Sequence, residues 1–368
     1  MRTIRPVTEV VAAAVTAAAV MGATATPAAA SSATGPAPVV VHPGESIQHA
    51  IDTAPAHATV VVTAGTYREN LLITRPVTLT GQGTVTLQPP ATVMHNTCTD
   101  DPDAGAPGTA LTVGICVLGT LGPTGAGDGD LPSVVTPVAD VRLKNLTVAR
   151  FTEGIEAVGT RGLTLESVTG RGNADTALLS WYGDDTVLSR VHMTGTGGFA
   201  AVSLRRSHRV RVSASRFTGN TGLGLALLDT RSGVISGNVL ADNSGGLAIV
   251  DTADPGPTGN IRVAGNHITG NSRYFPGDGS APPISGVGLI LLGTTDVTVS
   301  GNRIIGNAPS AAAPLAGFGV GVLDATNLTG GGVPSGNRVT GNRISGSPVA
   351  VRYDGTGSDN IFRGNHIG

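Results

Sequence analysis

The chain has 368 residues, 54 of them glycine, with only 3% aromatics and a formal net charge of −2. That composition excludes a conventional globular core. It suits a fold whose turns need positive φ and whose interior is stacked Val, Ile and Leu. The near-neutral charge gives no reason to expect nucleic acid or an anionic membrane surface as a partner.

The N-terminus carries Arg2 and Arg5, an apolar Ala/Val run from Val10 to Val20, and then Thr26-Pro27-Ala28-Ala29-Ala30. A basic start, a short apolar stretch and small residues before a cleavage point describe a secretory signal peptide over 1–30, so a secreted, extracellular protein is expected. The run is too short to span a bilayer, and no stable membrane insertion is expected. Residues 31–38, rich in Ser, Ala and Pro, read as a linker, and 39–368 as a single repeat domain.

Ile47, Ala50, Ile51 and Ala54 follow an i, i+3, i+4, i+7 pattern, which predicts one short amphipathic helix. Strand-like Val60–Val62, Leu71–Ile73 and Val77–Thr80 come next, separated by tight turns. A helix placed there would plug the open end of a stack of strands, whose exposed edge otherwise invites pairing. From 88 to 140 the pattern dissolves into a Pro/Gly-rich excursion with Asp100, Asp101, Asp103, Asp128 and Asp130 around Cys98 and Cys116. Two cysteines in an exported chain most simply pair, closing a loop of about 17 residues worth about 3 kcal/mol. A two-cysteine metal site is the alternative, but no nearby pair of His has ligand spacing.

Beyond 140 the chain repeats. A Gly-Asn pair lies between strand residues at Asn238, Asn266, Asn302, Asn342 and Asn365, and the same frame runs back without Asn through Ser215, Val191, Val168 and Leu146. The regular step is about 23 residues, the mark of a solenoid. Each coil reads as a Val-x-Val strand, the Gly-Asn turn, a second short strand, a corner and a Gly-Leu-x-Leu strand. The Asn residues are expected to take the left-handed turn conformation and to stack as an internal amide ladder. The prediction is all-β: a right-handed three-sheet parallel β-helix with a short N-terminal capping helix, as a monomer.

The repeat, the helical plug and the turn Gly65-Thr66-Tyr67-x-Glu69-Asn70 resemble the parallel β-helix proteins of the pectate-lyase-like superfamily over about residues 40–368. The resemblance implies polysaccharide lyases, glycoside hydrolases, pectin esterases or uronate epimerases. It also implies members without known activity and a periplasmic copper-site maturation factor. It places active sites on the outside of one sheet, walled by loops. The Asp-Pro-His-Asp signature of alginate epimerases is absent, and Asp184-Asp185 follows rather than precedes its strand, unlike the paired acids of polygalacturonases.

The candidate site rests on the Gly-Leu-x-Leu strands. Asp229 and Asp251 end two successive copies, Arg206 holds that place one coil earlier, and Arg205 stands beside it. Stacked carboxylates raise one another's pKa or share a cation, so Ca²⁺ at Asp229 and Asp251 is the cofactor considered, and an Arg nearby could neutralise a uronate or act as base. With period-two alternation the outward residues are Glu156, Ser180, Tyr182, Ser203 and Arg205. Tyr182 and Glu156 are candidates for substrate contact. The long steps place insertions at 251–259, 271–284, 307–316 and 326–336, which would wall a groove whose Tyr274 and Phe275 could stack on a sugar ring. The expected function is a carbohydrate-active protein with an acidic polysaccharide as partner, lyase-like or hydrolase-like. The alternative is a non-catalytic extracellular β-helix for binding or display, or a copper-maturation-type factor.

Overall fold

The β-branched runs punctuated by Gly form short parallel strands that stack coil on coil in this computed structural model, which describes residues 36–100, 111–124, 132–253, 256–279 and 281–368. The expected leader, most of the linker, and Asp101, Asp103, Asp128 and Asp130 lie outside these residues. Three faces run the length of the right-handed solenoid. The first carries strands such as Arg142–Lys144, Val187–Ser189, Gly259–Ala264 and Arg338–Thr340; the second, Thr147–Ala149, Arg216–Thr218, His267–Thr269 and Arg343–Ser345. The third runs from Leu71–Ile73 through Glu153–Val158, Ala200–Arg205 and Gly245–Val250 to Val349–Tyr353. Inward side chains form one apolar column from Val41 to Ile344.

The helix Ile47–Thr53 buries Ile47, Ala50 and Ile51 against this column. Its first turn explains the 65–70 motif. The Glu69 carboxylate accepts the N–H groups of Ile47 (2.9 Å) and Gln48 (3.2 Å) and the Ser46 hydroxyl (2.7 Å), so it caps the helix from the next coil. Asn70 exchanges two 2.8 Å bonds with the Met94 backbone and anchors the excursion. Cys98 and Cys116 are bonded, with Cα atoms 6.0 Å apart. The expected loop over 88–140 contains a strand, Val113–Leu118, that joins the third face between Leu71–Ile73 and Glu153–Val158. Its six-residue apolar run, Val-Gly-Ile-Cys-Val-Leu, lacks the alternation that would set it apart from the loop in sequence.

The Asn ladder is present. In each of Asn238, Asn266, Asn302 and Asn342 the backbone N–H and Nδ2 both donate to Oδ1 of the next Asn at 2.9–3.0 Å, ending on Asn365. The left-handed residue, however, is the preceding glycine (Gly237 φ 65°, Gly301 φ 64°), not the Asn. Asn is selected for its amide, which meets backbone groups that water cannot reach. A second ladder, Asn220–Asn243–Asn271–Asn307, lines the corner between the second and third faces at 2.8–3.2 Å.

Candidate functional site

The outward side of the third face is covered in its first coils and open further along. The disulfide packs with Leu111 and Val113 against Leu72 and Leu118. Glu156, which pairs directly with Cys116, is 4% exposed, so it lies beneath the surface rather than at a substrate-contact position. The expected alternation at Leu179–Gly183 is one residue out of step. Leu178 pairs with Ile155 and Val202, so Ser180 points inward, fully buried, while Leu179 and Trp181 point outward. One residue of register inverts a whole strand.

Past this point the outward side forms a groove of about 270 Å³. Leu228, Val250 and Leu292 form its floor. Ala281, Pro282 and Ile284 wall one side, Leu328 and Thr329 the other. The insertions therefore wall this sheet, as their positions implied. One end of the groove is charged: Trp181, Arg205, Arg206 and Asp229 line it. The charged cluster and the walled groove are one cavity.

The strand ends position these groups. Arg206 donates its N–H to Leu228 O, Asp229 to Val250 O and Asp251 to Leu292 O, so they form a single file, headed by Tyr182 on Arg205 O. Tyr182, Arg206 and Asp229 all have positive φ (55°, 46° and 48°), where Gly159 and Gly293 take the same conformation without strain. Bulky residues held there are costly, and such strain clusters at functional sites.

Arg205 lies over the Trp181 ring, 4.8 Å from its centroid, and its Nε donates to Ser203 Oγ at 3.0 Å. Burial pushes its pKa down, while Glu153, Asp175, Asp278 and Asp229 favour the charged form. Arginine stays protonated in any such setting. Arg206 lies 5.6 Å from the Tyr182 centroid and donates from Nη1 to the Tyr182 hydroxyl at 2.6 Å. Two cations are thus held on aromatic faces at one end of an apolar groove.

Asp229 is 7% exposed, and burial raises its carboxyl pKa. Thr252 opposes this by donating its N–H to Oδ1 (2.7 Å) and its hydroxyl to Oδ2 (2.5 Å); Asp251 adds to the rise and Arg206 lowers it. Asp251 is 3% exposed, accepts the Ala253 N–H on Oδ1 at 2.9 Å, and is overlaid by the 329–332 segment. It lies outside the groove lining. The pair does not fit a Ca²⁺ cage of six to eight oxygens, because three of its four oxygens already accept protein donors. No group of three or more His, Cys, Asp or Glu gathers among the described residues.

The aromatic pair of the 271–284 insertion divides. Tyr274 is exposed, away from the groove lining. Phe275 is 3% exposed and packs edge-on against Phe199 at 6.1 Å, so it supports the wall and is not open to a sugar. Asp184 and Asp185 are held by Arg209 at the corner entering the first face. Trp181, the chain's single tryptophan, and Thr252 escaped the sequence reading. The tryptophan was the available signal, hidden by the register slip.

Residues 134–304 match the family model described as right handed beta helix region. The A-module of mannuronan C-5 epimerase AlgE4 from Azotobacter vinelandii superposes with a TM-score of 0.53 at 20% identity, over 88% of this chain and 92% of that one. The periplasmic alginate epimerase AlgG gives 0.51 at 13%, over 89% and 82%. The Dettilon tailspike protein gives 0.50 at 13%, over 89% and 68%. A sequence search of curated proteins finds no match. At these identities the likeness is one of fold. The coil geometry, the Asn ladders and the match over 134–304 together show that this chain folds as a right-handed parallel β-helix.

Proposed function

We propose that the protein is an exported, carbohydrate-active β-helix that takes an acidic polysaccharide across the groove of its third face. The observation that carries this reading is the pair Arg205 and Arg206, each held on an aromatic ring at the charged end of that groove. A guanidinium fork matches a carboxylate, and preorganisation on a ring lowers the entropy lost on binding. The likeness to two structures described as alginate or mannuronan epimerases supports the substrate class. The basic and apolar N-terminal sequence supports export.

The geometry favours lyase-like over hydrolase-like chemistry. Hydrolysis needs two carboxyl groups about 5–9.5 Å apart, both open to the glycosidic bond. Here Asp251 is covered and Asp229 is tied to Thr252. Proton abstraction at C5 of a uronate needs its carboxylate charge neutralised as negative charge develops, which Arg205 and Arg206 are placed to do. Asp229, with its raised pKa, and the Tyr182 hydroxyl are the nearby groups able to exchange a proton.

The exported protein should be incubated with a panel of polyuronates in heavy water. Unsaturated ends report elimination, deuterium at C5 reports epimerisation, and new reducing ends alone report hydrolysis. One of the first two is expected, falling about 100-fold or more in Arg206→Ala. Hydrolysis alone would overturn the chemistry. Silence in all three with retention on the polymer would favour a binding protein, a reading the Asp229–Thr252 hydrogen bonds also suit.

A further inference from the structure

The groove leaves the other two faces unused, and the second face carries a pattern of its own. Its outward positions Arg216, Val239, His267, Arg303, Arg343 and His366 pair directly, each with the next, over six successive coils. All but Val239 are exposed. Across the Gly-Asn turn the first face adds exposed Arg262 and Arg338. Among the described residues, none of these guanidiniums has a hydrogen-bond or ion-pair partner. In earlier coils Lys144 and Arg190 both hold Glu166 and Arg209 holds Asp184 and Asp185, beside exposed Arg142, Arg171 and Arg211 that have no such partner among the described residues; what the later coils lack is the acidic residues. From His208 onward no strand of either face contains Asp or Glu.

Like charges placed directly opposite on neighbouring strands destabilise a sheet. Arg303 opposite Arg343 is such a pair, and solubility alone would be served as well by mixed signs. We propose that this ridge is a second binding surface, holding a linear anionic polysaccharide lengthwise along the solenoid. Coils repeat every ~4.8 Å, so the column from Arg216 to His366 spans about 24 Å, with guanidiniums at Arg216, Arg303 and Arg343 and with Arg262 and Arg338 across the turn. A polymer with one anionic group per sugar can follow this column in single file. The column has no Phe, Tyr or Trp on which bases could stack, which disfavours single-stranded nucleic acid. The surface does not depend on any chemistry in the groove.

The test is binding of the exported protein to a long polyuronate and to a short uronate oligosaccharide over a salt series. The variant is Arg303→Ser/Arg338→Ser/Arg343→Ser, with the triple Lys replacement as a charge-preserving control. Affinity for the long polymer should fall about tenfold or more, and the logarithmic salt slope should become shallower by about 2. Affinity for the short oligosaccharide should not move, and the Lys variant should recover most of the loss. Unchanged affinity for the long polymer would overturn the proposal. So would equal binding to a neutral polymer of the same length, or tighter binding to single-stranded DNA. Turnover is not the readout, so failure of the groove chemistry and failure of the ridge are separable.

Discussion

Coils before residue 216 and coils after 237 solve the same turn with different chemistry. In the earlier coils the left-handed position is held by Asn145, Ser167, Arg190 and Ala214 (φ 50–54°), followed by Leu146, Val168, Val191 and Ser215. In the later ones it is held by glycine, followed by Asn. A side chain in that conformation costs about 1–2 kcal/mol, which glycine avoids. The later coils also gain an amide that satisfies backbone groups, as Asn302 Nδ2 does for Val263 O at 3.0 Å. Acidic residues divide at the same place. Earlier coils pair Lys144, Arg190 and Arg209 with carboxylates and present Trp181, Arg205 and Arg206 on the third face, while later coils supply its apolar floor and walls and carry no Asp or Glu in the strands of the other two faces. The best-laddered part of the solenoid bears the insertions, and the strained part bears the charged groups of the candidate site.

The largest effect should come from breaking the ladder. Asn302→Leu removes the acceptor of the Asn266 N–H and of one Asn266 Nδ2 proton, the other still donating to Ile235 O, and the donor to the Val263 carbonyl, and should cost about 3 kcal/mol or more in denaturant unfolding. An unchanged midpoint would deny the ladder its role. Cys98→Ser/Cys116→Ser should cost about 3 kcal/mol through the freed loop. That loss should be accompanied by exposure of Glu156, read as faster hydrogen exchange near 156. Ala214→Gly should do the opposite, gaining about 0.5–1 kcal/mol by removing strain at an exposed turn, net of the entropy glycine adds to the unfolded chain. A loss there would show that the earlier turns are not strained.

Asp229→Asn tests the site through pH. The native carboxyl has a raised pKa, so the folded state binds its proton more readily than the unfolded chain. The stabilisation tied to that proton is full below about pH 4 and disappears as pH rises through the native value. The variant should therefore match or exceed wild-type stability at neutral pH, by less than about 1 kcal/mol, with the gap closing in acid. Destabilisation at neutral pH would mean that the Thr252 hydrogen bonds outweigh burial, and that Asp229 is a structural turn residue.

Much of this was legible in the sequence, because a solenoid repeats its physics every coil. Gly-Asn at 238, 266, 302, 342 and 365 fixed the turn, and the length of each step located the walls. The second ladder was legible too, since Asn243, Asn271 and Asn307 each follow a ladder Asn by five residues. What escaped depended on one residue of register or on burial. Trp181 faces outward because Leu178, not Leu179, enters the core. Phe275 and Asp251 are covered by segments distant in sequence, Phe199 and 329–332, which local pattern does not reveal.

The central claim is that Arg205 and Arg206 make the groove a site for uronate carboxylates. Calorimetric titration of the protein with a uronate oligosaccharide and with its carboxyl-reduced, neutral counterpart tests it directly. Wild-type protein should bind the uronate and not the neutral sugar, and Arg205→Met, which keeps the stem on Trp181, should weaken uronate binding about tenfold or more. Equal affinity for the two sugars, or an Arg205→Met variant that binds as wild type does, would contradict the account.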